Sequence, residues 1–79
     1  MFKVIHDGGG AELRFEHPLA AISHAIMQSM ASTSVARVIV NDNLVCVARN
    51  GRLFAAADAR REITPAEAVR TADRLIGRE

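Results

Sequence analysis

Asn50-Gly51 stands between two β-rich runs, residues 44–49 and 52–57. A type I′ turn needs positive φ at both central positions, and Asn followed by Gly tolerates this best. The pair predicts a tight hairpin and sets its register. Arg49 falls opposite Arg52, Val47 opposite Phe54 and Val45 opposite Ala56, all on one face. The other face carries Ala48 with Leu53, Cys46 with Ala55 and Leu44 with Ala57. With the run at 36–40, the stretch 36–57 reads as a three-stranded antiparallel meander. The turn before it, Asn41-Asp42-Asn43, fits two lengths. A two-residue loop aligns Val38 and Val40 with Val45 and Val47, whereas a three-residue loop aligns Ile39 instead.

Neither face of this meander is polar. A sheet with one wet face alternates apolar and polar residues. Here the Leu44, Cys46, Leu53 face is wholly apolar and is expected to form the core. The Val45, Val47, Phe54 face is also apolar and ends in paired arginines. Either a second layer of this chain covers that face, or another molecule does. Large apolar patches rimmed by polar groups mark interaction sites, so the expected surface is Val45, Val47 and Phe54, rimmed by Arg37, Arg49 and Arg52.

The rest of the chain supplies cover. Residues 2–6 and 11–16 alternate as short strands around Asp7-Gly8-Gly9-Gly10, giving an N-terminal hairpin with Leu13 and Phe15 inward. The glycines do not make a phosphate loop, because a second strand follows them and no Lys-Ser/Thr pair does. His17-Pro18 opens a helix over 18–31, with Leu19, Ile22, Ile26 and Met30 expected toward the sheet, widened by Met27. Thr64-Pro65-Ala66-Glu67 carries a capping box and starts a second helix, which Gly77 closes. Residues 58–62 read as an irregular connection. The predicted class is α+β in the order ββαβββα: an antiparallel sheet, made of the hairpin and the meander, packed by two helices in one domain over residues 1–79.

Charge and chemistry narrow the function. The 79 residues carry ten basic and nine acidic side chains, a net charge of +1, so no bulk attraction to nucleic acid or to an anionic membrane follows. Arg49, Arg52, Arg60 and Arg61 are a candidate basic corner for nucleic acid. The single cysteine, Cys46, is expected in the core as a small hydrophobe. His17 and His24 are two helical turns apart, too far to share a metal, and Ser23 beside His24 points about 100° away from it. No metal, cofactor or small-molecule substrate is expected, nor catalysis. No signal peptide or membrane-spanning run is seen, which places the chain in the cytosol as an expectation.

Two resemblances follow from the order of elements. The arrangement over residues 18–77, with Thr64, Ala68 and Ala72 in the last helix, resembles a double-stranded-RNA-binding domain. That family carries a Ser-Lys-Lys-x-Ala-Lys run at this helix start, where this chain has Thr64-Pro65-Ala66-Glu67-Ala68-Val69. Phosphate contacts dominate nucleic-acid affinity, so the resemblance implies an architecture rather than RNA binding. The stretch from Leu19 to Phe54, a short helix followed by V-x-V-N-x-x-L-V-x-V-x-R-x-G-R-x-F, is similar to small phage and mobile-element proteins, including anti-CRISPR inhibitors. That likeness implies a compact, non-catalytic module that binds a host protein. The residues themselves suggest a homodimer through Val45, Val47 and Phe54, with a host protein on the same face, or pairing at a sheet edge, as other outcomes.

Overall fold

The computed structural model describes residues 1–7, 12–32 and 34–77. They form β1 (Phe2–His6), β2 (Leu13–Phe15), α1 (Pro18–Ser32), β3 (Ala36–Val40), β4 (Asn43–Arg49), β5 (Arg52–Ala55), β6 (Glu62–Ile63) and α2 (Pro65–Leu75). The fold is α+β, and the expected order ββαβββα holds with one short strand added. That strand, β6, comes from the segment expected to be irregular. The turn expected at residues 7–10 lies largely outside the described residues.

One antiparallel sheet runs β2-β1-β3-β4-β5-β6. The N-terminal hairpin extends the meander, because all five residues of β1 pair with β3. Both meander turns are two residues long. Asn41 and Asp42 have φ of 51° and 63°, and Asn50 and Gly51 have 53° and 80°, as type I′ turns require. The β4–β5 register is the one Asn50-Gly51 predicts, with Val47 opposite Phe54 and Arg49 opposite Arg52.

The β3–β4 register contains a step. Val38 pairs with Cys46 while Ile39 pairs with Leu44, so Val45 is an extra residue in a β-bulge. Strict alternation fails there, and Val45 and Cys46 both turn inward, at 1% and 0% exposure. This corrects the sequence reading at two positions. Val45 belongs to the core, and Leu44 belongs to the opposite face beside Ile39.

Both helices lie on one side of the sheet, α1 against β1, β3 and β4 and α2 against β4 and β5. Between the layers sit Phe2, Val4, Val38, Val40, Val45, Cys46 and Leu53 from the sheet and Ala21, Ile22, Ala25, Ala68 and Ala72 from the helices. The α2 start is built as expected. Thr64 Oγ1 accepts from Glu67 N–H at 3.2 Å, and Glu67 Oε1 accepts from Thr64 N–H at 3.5 Å. Helix α1 is rolled from the expected orientation by roughly 90°, close to one residue step. Ala21, Ile22, Ala25 and Ser29 face the sheet, while Leu19, Met27 and Met30 are 57%, 68% and 66% exposed. The small side chains let the helix lie close, and a bond holds the roll. Ser29 Oγ accepts from Gly51 N–H at 2.9 Å and donates to the Ile26 carbonyl at 2.9 Å.

Candidate functional site: the helix-free face of the sheet

With both helices on one side, the other side of the sheet carries no layer among the described residues. Three cross-strand rows build it. The central row runs Ile5, Arg37, Val47, Phe54 and Glu62 from β1 to β6. Beside it lie Arg14, Lys3, Ile39 and Leu44. At the β4–β5 turn, Arg49 faces Arg52. The apolar members, Ile5, Ile39, Leu44, Val47 and Phe54, are half-buried. They lie on four neighbouring strands, β1, β3, β4 and β5.

Charge surrounds the patch. Arg37 donates to the Asp7 carboxylate, Arg52 lies 3.6 Å from Glu62, and Arg14 lies 3.1 Å from Glu12. The Arg49 guanidinium sits over the Phe54 ring, 4.4 Å from its centroid, a cation–π contact. Lys3, Arg14, Arg37, Arg49 and Arg52 thus face three carboxylates. Among the side chains named here the cations outnumber the carboxylates by two, while the whole chain carries a net +1.

Of the expected surface, Val47, Phe54, Arg37, Arg49 and Arg52 come together here, and Val45 does not. The basic corner also divides. Glu62 joins Arg52 on this face, so its neighbour Arg61 turns the other way and lies 3.4 Å from Glu67 of α2. Arg60 is exposed in the connecting turn, where its N–H donates to Asp58 Oδ1 at 3.0 Å. Lys3, Arg14, Ile5 and Leu44 escaped the sequence reading, and Ile39, expected on this face only with a three-residue turn, joins it through the bulge although the turn has two residues. Alternation within residues 2–6 marks Lys3 and Ile5 as sharing a face, but only the pairing of β1 with β3 brings them beside Arg37.

Elsewhere the structure offers shallow clefts. Arg61, Glu67, Arg70, Thr71 and Arg74 line a cleft of 140 Å³ beside α2. Val45, Ala55, Ile63 and Thr71 line part of a second, of 170 Å³. Burial pushes the Cys46 thiol up to about 12. The His24 and Phe15 rings meet tilted by 41°, with centroids 5.2 Å apart, and the Nε2 atoms of His6 and His24 are buried without a hydrogen-bond partner. Among the described residues no group of three or more His, Cys, Asp or Glu is placed to hold a metal, and no helix is long and apolar enough to cross a membrane.

No protein-family model, curated protein or solved structure matches this chain.

Proposed function

We propose that the protein is a non-catalytic binding module whose helix-free sheet face holds a partner protein. One observation carries this reading: five apolar side chains on a face that no described element covers, with a cationic excess about them. The partner surface that fits is apolar at its centre and acidic at its rim. Burial of the patch supplies affinity, and the rim charges supply orientation and encounter rate. The resemblance to small phage and mobile-element inhibitors suggests a host protein in this role.

The same charge excess disfavours closing this face on a second copy, which would bring two like-signed rims together. Nucleic acid is the second reading, favoured by that excess. Against it stand the aliphatic centre and the single aromatic. Single-stranded nucleic acid stacks on several aromatic rings, and here the one ring is already under Arg49.

The test is retention from a lysate of the native host by immobilised protein, compared with Val47→Asp and Phe54→Asp. Arg70→Glu, on the exposed side of α2, serves as control. The expected outcome is a protein held by the wild type and by the control but released by both face variants, with circular dichroism unchanged. Retention of nucleic acid alone, lost on nuclease treatment, would favour the second reading. Retention untouched by either face variant would overturn the assignment of the face.

A further inference from the structure

Helix α1 presents a second surface, independent of the sheet face. Its fifteen residues include no Asp, Glu, Lys or Arg. The side turned from the sheet carries Leu19, Ala20, Ser23, Met27, Met30 and Ala31, all exposed. Leu19, Met27 and Met30 are three of the five large hydrophobic side chains exposed among the described residues. An exposed helix face in a globular protein carries charge, and α2 obeys this with Arg70 and Arg74 exposed and Glu67 and Asp73 half-buried.

We infer that this face of α1 docks on the same face of a second copy, giving a back-to-back dimer. Charge selects this occupant. In a two-fold contact each patch meets itself, so a charged patch meets like charge and an uncharged one does not. Among the surfaces described here, only the outer side of α1 has that property. A membrane surface fits less well. Interfacial helices set an apolar face against a polar face rich in Lys and Arg, whereas α1 has no cation and its other side is the protein core. Ala20, Ser23 and Ala31 between the larger side chains allow close approach of two helices. Met27 and Met30 are flexible enough to fill the remaining gaps.

The size of the contact sets its strength. A helix of fifteen residues spans about 22 Å. One helix pair of that length falls short of the roughly 800 Å² per partner of a standard interface. A contact this small is expected to come apart on dilution. The helix layer and the open sheet face lie on opposite sides of a molecule only 17 Å across its shortest axis. A pair joined through α1 leaves both sheet faces outward.

Sedimentation equilibrium over a dilution series tests this. The wild type is expected to move from 8.5 kDa toward twice that mass as concentration rises. Met27→Glu places a charge in the contact and is expected to raise the dissociation constant by at least about tenfold. Met27 is 68% exposed, so the variant folds as the wild type does. Because the contact is uncharged, added salt leaves the association unchanged or strengthens it. A wild type that stays monomeric at millimolar concentration would overturn the inference. So would a dimer that survives Met27→Glu but is lost in Phe54→Asp or in salt, since that pairing runs through the sheet face. Met27→Glu should also keep the partner binding proposed for the sheet, which separates failure of one surface from failure of the other.

Discussion

Cys46 shows how one position on the sheet fixes a side chain's chemistry. The thiol lies under the helices with no cation beside it, and loss of water raises its pKa from the usual 9.0 to about 12. The folded protein therefore holds its proton more tightly than the unfolded chain. The stability this gives is fully present below pH 9 and is lost as pH rises toward 12. Urea midpoints measured from pH 8 to pH 11 should fall, and Cys46→Ala should flatten part of that fall. An unchanged slope in the variant would mean that other groups carry it. The same thiol should react with a maleimide only at the rate of unfolding, since the thiolate is the nucleophile. Cys46 was legible as a core residue from the sequence. Its neighbour Val45 was not, because alternation assigns faces only while the ladder is regular, and the bulge breaks it at that residue.

Elements declare themselves in this sequence through local chemistry. Asn50-Gly51 set a turn and a register, and Thr64 with Glu67 set a helix start, because each signal acts within a few residues. How elements pack depends on distant partners. The roll of α1 follows from the small side chains of Ala21 and Ala25 and from Ser29, whose hydroxyl reaches a turn 22 residues away. No periodicity of apolar residues encodes that bond, so the sequence favoured Leu19 and Met30 as the buried stripe. Ser29→Ala tests the arrangement. It leaves the Gly51 N–H without its acceptor, a loss of about 1–3 kcal/mol. For a domain of this size each 1 kcal/mol lowers the melting temperature by roughly 4–8 °C. A melting temperature unchanged within a degree would show that water replaces the hydroxyl and that packing alone holds the roll. The candidate face divides along the same line. Val47, Phe54 and the arginines of the β4–β5 hairpin were legible, while Lys3 and Ile5 reach it only through the long-range pairing of β1 with β3.

At the scale of the whole molecule, stability is graded from the centre of the sheet outward. Strands β3 and β4 have hydrogen-bonded neighbours on both sides and lie under helices, whereas β2 and β6 are edges of three and two residues. Amide exchange should follow this order. Protection is expected to be greatest at Val38 and Cys46, in β3 and β4, and least in β2 and β6. Equal protection across all six strands would mean that the sheet opens only as a unit. If α1 joins two copies, the two sheet faces become a bivalent display. A partner with repeated acidic sites would then be held more tightly than one face alone can hold it.

The short outer strands have a further consequence. A long, flat edge strand is a template on which another chain can add, and native sheets blunt such edges to avoid it. Here each described edge offers only two or three residues of ladder, with Arg14 on one and Glu62 on the other. Growth of the sheet by strand addition would gain few hydrogen bonds at either end. Concentrated protein is thereby steered away from fibrous stacking.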